Sequence, residues 1–544
     1  MRIPAGKIVS LASTLAALAR KSKPGIFIVV LAVVATSCMV GPNYTTPKAN
    51  VASAWMPNPA ITNRPFSDAE IYWWRNFNDP VLDQLVATAC SNNLSLQIAG
   101  VRILETRARL NRSIGNLFPQ QQGISGQVNY SQLNDNLLNR IPGVNSDYVS
   151  DQILFGATWE IDFWGKYRRL IQSDRANYLG TIADYDDAMI TLIADVASTY
   201  VNIRTLEERI RVANQNLTTQ KEGLRIATAQ FQAGETSERD VQQATTRLAQ
   251  TEAQIPLLNA SLAQNRNGLA VLLGETPEEI DKHLTEPGTI PTTPTDVAAG
   301  IPKDLLRRRP DVLAAGLQAA SYSALIGVAK AQMYPAFSLS GEFGFSGNNQ
   351  FNNNLSDMFN WENRVVNAGA GVVFPIFNYG RLVNQVRVQD AQFEQALLNY
   401  QNTVLTAQQE VENGLANFAN QQDALVSFSQ AAKAARRSTD LAMIQYKEGQ
   451  TDFTTVLTAE QEQLNVENDV AVTRGNVVQG LISVYRALGG GWQIRDGHDV
   501  ISDRVKAEMA QRTDWGKMLE PSHHLPAAKV TAADDTRRDT TNSK

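Results

Sequence analysis

The stretch ATAQFQAGET at residues 227–236 decides the fold, because the chain contains a second version of it. The second version, AMIQYKEGQT at residues 442–451, aligns without a gap at an offset of 215 residues. The same offset holds upstream, where it places Gly165 over Gly380. Self-similarity over such a length indicates one structural plan used twice in the 544-residue chain.

A long helix is predicted to lead into the first version of this stretch. Residues 165–233 contain no proline. Apolar residues recur there at alternating spacings of three and four, at Ile203, Leu206, Ile210, Ala213 and Leu217. This spacing is typical of a coiled-coil seam. The corresponding helix of the second half is predicted to begin at Arg381.

A tight turn is predicted to follow each long helix. Gly234 and Gly449 are candidate helix ends. Ser237, with Asp240 three residues later, has the spacing of a capping box and predicts a new helix start. Each half therefore carries a predicted helical hairpin, at about residues 165–273 and 380–488, with tips at residues 232–240 and 447–454.

Two alternating runs precede each hairpin. Apolar residues occupy about every second position in residues 122–132, 152–162, 336–346 and 367–377. Period two predicts strands with one apolar face, and about ten residues is the length of a tilted membrane strand. Trp164 and Phe377 lie near the ends of such runs, where an aromatic belt would meet the membrane surface. The face of a soluble β-sandwich is the alternative interpretation.

The repeat divides the chain into six parts. The predicted parts are a signal peptide at residues 1–37, an N-terminal anchor segment at 38–75, a first repeat at 76–275, a linker at 276–302, a second repeat at 303–492 and a tail at 493–544. Each repeat is predicted to open with a helix, and Pro310 and Asp311 suit the first turn of the second one. The tail is charged and contains proline, which predicts disorder.

The N-terminus has the features of an export signal. Basic residues precede GIFIVVLAVV at residues 25–34, and this apolar run is shorter than the roughly 20 residues that span a bilayer. Small residues then lead to Cys38, whose thiol is a predicted site of lipidation. Ala35 departs from the leucine usual at that position of a lipoprotein signal. A chance cysteine beside an ordinary cleavage site is the alternative.

A membrane crossing by this chain is expected to use strands, because no later segment is predicted to be a transmembrane helix. Four strands cannot close a barrel, since the smallest barrels have eight. Open sheet edges are not tolerated in lipid, so several chains would have to pool their strands. The long helices that follow would continue such a barrel as a helical tube, and the sequence therefore predicts a conduit.

Seven short motifs occur in a characteristic order. They are CMVGPNYTTP (38–47), WWRNFNDPVLDQLV (73–86), LRRRPDVLAA (306–315), YPAFSLSGEFG (334–344), FPIFNYGR (374–381), YKEGQTDFTTVLTAEQ (446–461) and ALGGGW (487–492). Each motif alone is weak, but the set covers about residues 38–495. In this order the motifs closely resemble the TolC-like outer-membrane efflux protein family, in its lipoprotein branch of the NodT and OprM type.

The resemblance implies a mainly helical fold with membrane β-structure. The expected assembly is a homotrimer with a twelve-stranded β-barrel, four strands per protomer, continued by a long periplasmic α-helical barrel. The linker and the C-terminal segment would form an equatorial domain. The resemblance also implies an outer-membrane channel, a passive exit duct for small molecules in a tripartite efflux system. Its expected partners are a periplasmic adaptor (membrane fusion) protein, an inner-membrane pump of the resistance–nodulation–division (RND) type and outer-membrane lipid.

The resemblance also assigns roles to the hairpin tips, which in this family close the tube and contact the adaptor. Asp452 matches a family position implicated in the constriction. With Glu235, Glu238 and Asp240 it would form an acidic ring that selects cations or gates by repulsion. The alternative is that these acids only cap helix starts. The turn residues expected to dock the adaptor are Gly234, Thr236, Gly449 and Thr451.

Other functional classes are weaker readings of the sequence. A duct for type I protein secretion would share every feature and differ only in cargo. A periplasmic coiled-coil adaptor or structural lipoprotein would lack the two repeated strand pairs. No phosphate loop, nucleophile motif or clustered histidines suggest an enzyme, a metal site or a cofactor. The net charge of −5 gives no basic footprint for nucleic acid.

Overall fold

The computed structural model describes residues 39–57, 61–62, 71–132, 134, 146–294, 297–300, 302–350, 355–495 and 498–525. The chain divides into two compact units. Unit 1 holds the described residues of Met1–Pro47, Thr106–Leu179 and Gly316–Leu398. Unit 2 holds those of Lys48–Glu105, Gly180–Ala315 and Asn399–Lys544.

The structure is mainly helical, which confirms the predicted fold class at that level. The helices of the described residues are α1 (Pro80–Asn92), α2 (Leu94–Gly115), α3 (Lys166–Gln232), α4 (Glu238–Leu273), α5 (Leu305–Arg308), α6 (Pro310–Ala331), α7 (Arg381–Lys447), α8 (Phe453–Ala487), α9 (Asp503–Arg512) and α10 (Pro521–His524). The strands are β1 (Ile61–Thr62), β2 (Gln121–Gln132), β3 (Asp147–Ile161), β4 (Val297–Ala298), β5 (Ala336–Asn348) and β6 (Arg364–Val373).

Unit 1 contains a four-stranded antiparallel sheet in the order β2-β3-β5-β6. Three of its strands lie close to the predicted positions, although β3 begins five residues before the predicted strand at 152–162. The predicted strand at 367–377 corresponds to β6 but ends at Val373. Pro375 explains the early end, because proline has no amide hydrogen to donate to a neighbouring strand.

Several apolar side chains of the sheet, above all on its outer strands β2 and β6, are exposed to solvent in the single chain. Ile124 is 77% exposed, Val128 72% and Val366 63%. A sandwich would bury such residues against a second sheet. Their exposure therefore favours a surface that faces an apolar medium over the sandwich alternative.

Unit 2 is built mainly from the long helices. Its largest fully buried side chains include Trp73, Tyr200, Phe418 and Phe453. The Trp73 ring stacks on Tyr485 with a centroid separation of 5.5 Å. Within the predicted linker at 276–302, β4 pairs in parallel with β1 and the backbone oxygen of Glu286 accepts a hydrogen bond from Arg204 at 3.1 Å. The linker is thus a small side structure packed on α3.

Replacing Gly274 with alanine will destabilise unit 2 by at least about 2 kcal/mol, because the residue needs a left-handed backbone and has no room for a side chain. Gly274 ends α4 at a φ of +71°, and a Cβ there would lie 2.5 Å from the Asn92 carbonyl oxygen. Gly268, in the same helix, has open space among the described residues, so Gly268→Ala should stabilise by about 0.5–1 kcal/mol. Thermal unfolding followed by circular dichroism checks both, and equal effects would contradict the argument.

Helix α6 differs from the sequence expectation. Among the described residues, it is the one helix long and apolar enough to cross a membrane by length and composition, with a mean hydropathy of 1.5 in its most apolar window. The expectation that no later segment resembles a transmembrane helix was therefore too strict. Half of that window is buried within the chain, however, and buried core helices have the same composition. The helix alone does not indicate a membrane crossing.

The C-terminal tail also differs from the sequence expectation. The prediction of disorder over residues 493–544 is wrong for residues 498–525, which include α9 and α10. The physical reason is a small apolar anchor within a charged segment, since Val500, Ile501 and Met509 are buried. Just before it, Arg495 Nε pairs with Asp186 Oδ1 at 2.5 Å. Residues 496–497 and 526–544 lie outside the described residues.

Candidate functional site

The two hairpin tips in unit 2 have the same backbone geometry. A glycine with positive φ ends the incoming helix in each, Gly234 at +80° and Gly449 at +70°. The N–H of the following residue donates to the carbonyl oxygen five residues back, at 2.9 Å in the first tip and 2.8 Å in the second. This arrangement satisfies carbonyl groups that the helix end leaves free. The repeat is therefore preserved at the level of individual hydrogen bonds.

The four acidic residues predicted to form a ring do not share one environment. Glu235, Glu238 and Asp452 are exposed on the tips, whereas Asp240 is only 6% exposed. Exposed carboxylates contribute to the field in front of the tips. A carboxylate packed inside one tip does not act in the same way, and Asp240 therefore departs from the predicted ring.

Asp240 instead ties the first tip together. Its Oδ2 accepts a hydrogen bond from the Thr236 hydroxyl, and its Oδ1 accepts one from Ser237 Oγ at 3.4 Å. The Ser237 hydroxyl thus donates to Asp240 instead of capping the helix, so the predicted capping box has a different bonding pattern from the expected one. The Thr236 hydroxyl already donates its hydrogen bond within the tip. It is therefore less available to a docking partner than its position in the sequence suggests.

Asp452 caps the second tip's outgoing helix. Its Oδ1 accepts from the Thr455 backbone N–H at 3.0 Å and from Thr455 Oγ1 at 2.8 Å. The Thr451 hydroxyl, half-buried, donates to the same Thr455 oxygen at 3.1 Å. The hydrogen bonds from the Thr455 hydroxyl and backbone lower the pKa of Asp452 below its ordinary value. Asp452 therefore both caps a helix and presents a negative charge to solvent.

A small apolar core joins the two tips. It was not among the features predicted from the sequence. Its buried members are Ile226, Ala227, Ala244, Ala442, Tyr446, Phe453 and Val456. The rings of Tyr446 and Phe453 lie 5.0 Å apart between centroids. Gln230 Nε2 adds a hydrogen bond to the Tyr446 carbonyl oxygen at 3.2 Å. The tips of one chain therefore form a single packed element.

The helices that contribute to this core also bury four polar residues, which the sequence did not reveal. Gln220 of α3, Arg247 and Thr251 of α4 and Glu460 of α8 are all at most 8% exposed. Each has at least one polar atom with no hydrogen-bond partner among the described residues. Burial raises the pKa of Glu460 to about 7, and the charge of Arg247 opposes that rise. A carboxylate at this position is poised to change charge near neutral pH.

The predicted lipidation site, Cys38, lies outside the described residues. The structure begins at Met39, immediately after it. Among the described residues there is no group of three or more His, Cys, Asp or Glu side chains arranged to hold a metal ion.

Comparison with known proteins identifies a family. The family model described as outer membrane efflux protein matches residues 85–275 and 301–490, which fall one in each repeat. The pyoverdine export outer membrane protein OpmQ of Pseudomonas aeruginosa is 31% identical over 430 residues, covering 77% of this chain and 87% of the relative. The solvent efflux pump outer membrane protein SrpC of Pseudomonas putida is 29% identical, covering 84% of this chain and 96% of the relative.

Solved structures agree with these matches. The outer-membrane channel OprN superposes with a TM-score of 0.76 at 32% identity, covering 84% of this chain and all of that chain. The CmeC outer membrane channel of Campylobacter jejuni superposes with a TM-score of 0.75 at 23% identity, covering 87% of this chain and 98% of that chain, a likeness in fold. Because the family model covers both repeats and these relatives align along most of their length, the chain belongs to the outer membrane efflux protein family and is an outer-membrane efflux channel.

Proposed function

We propose that three copies of this chain form the passive exit duct of a tripartite efflux system. The observation that carries the proposal is the pair of long sheet edges. Within the described residues, β2 with 12 residues and β6 with 10 residues have no partner on their outer sides. A membrane leaves no water for such backbone groups, so the edges need strands from other copies. Three four-stranded sheets would close a twelve-stranded barrel.

Exposed apolar side chains on the long helices support the same assembly. Leu257 and Val271 of α4 are 70% and 71% exposed, and Leu405 and Val426 of α7 are 55% and 61% exposed. Apolar residues at such exposure are typical of surfaces that are covered in an oligomer. Packed against neighbouring copies, these helices would build the periplasmic α-helical barrel.

The relatives support the proposed partners and cargo. Three of them are named as outer membrane proteins of solvent or toluene efflux pumps, and two as pyoverdine export outer membrane proteins. We expect this duct to receive small molecules from an inner-membrane pump of the RND type through a periplasmic adaptor. The adaptor would dock at the exposed tip turns around Gly234 and Gly449, with Thr236 and Thr451 beside them. A lipid on Cys38 would anchor the protein to the outer membrane in addition to the barrel.

A deletion strain tests the duct. We expect loss of the gene to increase susceptibility to a set of solvents, antibiotics or metals, with restoration by the intact gene on a plasmid. Light scattering of the detergent-solubilised protein should give the mass of three chains. An unchanged susceptibility panel would contradict the efflux role, whereas a monomer in mild detergent would contradict the pooled barrel.

We propose that the negative charge of Asp452, together with those of Glu235 and Glu238, restricts passage through the tip end of the duct. Asp452→Asn should raise single-channel conductance in a planar bilayer, because it removes the charge, and it should leave helix stability nearly unchanged, because it keeps the capping oxygen. Asp452→Ala should raise conductance as well and should also destabilise the start of α8, because it removes the capping oxygen. A rise with alanine alone would show that the cap, not the charge, controls conductance.

A further inference from the structure

The residues directly after the predicted lipidation site are held by a defined set of contacts in unit 1. Val40 donates its backbone N–H to the carbonyl oxygen of Trp164 at 3.1 Å, just beyond the end of β3. Met39 packs against the glycine that follows, Gly165. The beginning of the described chain therefore lies on the strand-to-helix junction between β3 and α3.

Arg169 in the first turns of α3 contacts this segment most closely. Its guanidinium is buried, with the residue 3% exposed. Nε donates to the Val40 carbonyl oxygen at 3.1 Å, and Nη2 donates to the Gly41 carbonyl oxygen at 3.2 Å and to Asn43 Oδ1 at 2.9 Å. The remaining nitrogen, Nη1, donates to Gln172 Oε1 at 2.9 Å. The planar fork of an arginine suits such a set of acceptors, which a lysine could not serve together.

Glycines make the close approach possible. Gly41 has a φ of +98°, and a Cβ there would overlap the backbone of Gly327. A Cβ on Gly327 would in turn lie 2.8 Å from Cγ of Arg169. Both positions therefore leave no room for a side chain, and residues 40–43 pack closely against α3 and α6. We name residues 40–43 together with Arg169 the N-terminal bracket.

The bracket lies beside aromatic residues suited to a membrane surface. Trp164 donates its ring N–H to the Pro335 carbonyl oxygen at 2.8 Å and stacks on Tyr334 at 4.6 Å between centroids. Phe377, a few residues beyond β6, is 87% exposed. Tryptophan and tyrosine concentrate where the lipid headgroups meet water. Through Val40, the bracket is therefore hydrogen-bonded to Trp164, a residue type common at membrane surfaces.

We propose that Arg169 is a positioning residue for the lipid anchor, holding residues 40–43 so that an acyl group on Cys38 enters the bilayer beside the sheet. This inference rests on the lipidation proposed above. Cys38 is two residues from Val40, so the anchor can reach at most about 7 Å from the bracket. A short, fixed tether keeps the strands near the membrane while they insert. A loose tether would lower their effective concentration at the membrane.

A double-mutant cycle tests the proposal. The variants are Arg169→Gln, Cys38→Ala behind a non-lipoprotein signal, and both together, and the readout is the initial rate at which detergent-resistant oligomer appears in the outer membrane. In the lipidated chain we expect Arg169→Gln to slow this rate about tenfold. In the Cys38→Ala background it should have little further effect. Equal slowing in both backgrounds would overturn the proposal and leave Arg169 a purely structural residue.

Two further measurements keep the outcomes separate. Incorporation of labelled palmitate tests lipidation itself. If the wild-type protein incorporates no label, the proposed lipid anchor is wrong, and the role proposed for Arg169 falls with it. If Arg169→Gln does not fold, Gly41→Ala disturbs the bracket from the other side, with Gly115→Ala as the control because its Cβ meets open space among the described residues. Deuterium exchange of the peptide containing Val40 should accelerate in Gly41→Ala and not in Gly115→Ala. Unchanged exchange together with an unchanged insertion rate in Gly41→Ala would overturn the proposal.

Discussion

Arg309→Ala will lower the stability of unit 2 by about 3 kcal/mol, the low end of the range for breaking a buried ion pair. The Arg309 side chain is buried and donates to both carboxylate oxygens of Asp311, at 2.9 and 2.7 Å, and to Glu410 Oε2 at 2.7 Å. It also donates to the Ala487 carbonyl oxygen at the end of α8, at 2.9 Å. Asp311 and Glu410 are partly exposed to water, so the expected loss of stability lies at the low end of the range for buried ion pairs.

Two substitutions calibrate this expectation. Arg225→Ala removes an exposed arginine that pairs with Glu222 within one helix, and it should lower stability far less than Arg309→Ala, because water screens exposed ion pairs. Arg309→Lys keeps the charge but loses the fork, so its stability should fall between wild type and Arg309→Ala. Thermal unfolding of the solubilised protein followed at 222 nm checks all three. A loss for Arg309→Ala no larger than that for Arg225→Ala would contradict the assigned role.

The second large effect concerns pH. Glu460 has a pKa of about 7 in the folded chain, above its ordinary value of 4.5, so the folded state binds its proton more tightly than the unfolded state. The stability that this proton confers is complete below pH 4.5 and is lost as the pH rises through 7. The loss amounts to about 3 kcal/mol for a shift of this size. Glu460→Gln mimics the neutral carboxyl group and should therefore be more stable than wild type at pH 8 and equal to it at pH 4.

The surroundings of Glu460 explain the direction of the expected shift. Burial raises its pKa, and Arg247 of α4 is the charged group that opposes this rise. A Cβ added at Gly223 of α3 would lie 3.4 Å from Glu460 Oε1, so α3 leaves little room beside this carboxyl group. Unfolding midpoints of wild type and Glu460→Gln at pH 4 and pH 8 decide the matter, with the exposed Glu462→Gln as the control. A Glu460→Gln variant with the same pH dependence as wild type would contradict the prediction.

Much of the fold could be predicted because its elements have local signals. The 215-residue offset located both tips, and their glycines adopt the expected left-handed backbone. Period two located the strands, but their ends depend on partners and on single residues, as the early end of β6 near Pro375 shows. The predicted disorder of the tail is wrong because composition averages over residues and does not show that Val500, Ile501 and Met509 are buried.

The candidate site was predicted less completely, since several of its contacts join distant residues. Asp240 carries a helix-start signal in the sequence, and only the packing of the tip reveals that its carboxylate is buried. Arg169 contacts residues 126 to 129 positions away, which no local pattern records. Glu460 could have been found, because it continues the three- and four-residue spacing of Phe453 and Val456 and so places an acid in an apolar seam.

The outer edges of β2 and β6, which have no partner strand in the part of the chain that the structure describes, also bear on how the protein folds. If other copies complete the sheet, the stability of unit 1 has no fixed value for one chain and depends on protomer concentration. Refolding would then be a reaction of higher order, slow in dilute samples and faster as copies meet. In a crowded periplasm the same free edges could join unrelated strands, so a cell must limit the time that a newly exported copy spends alone.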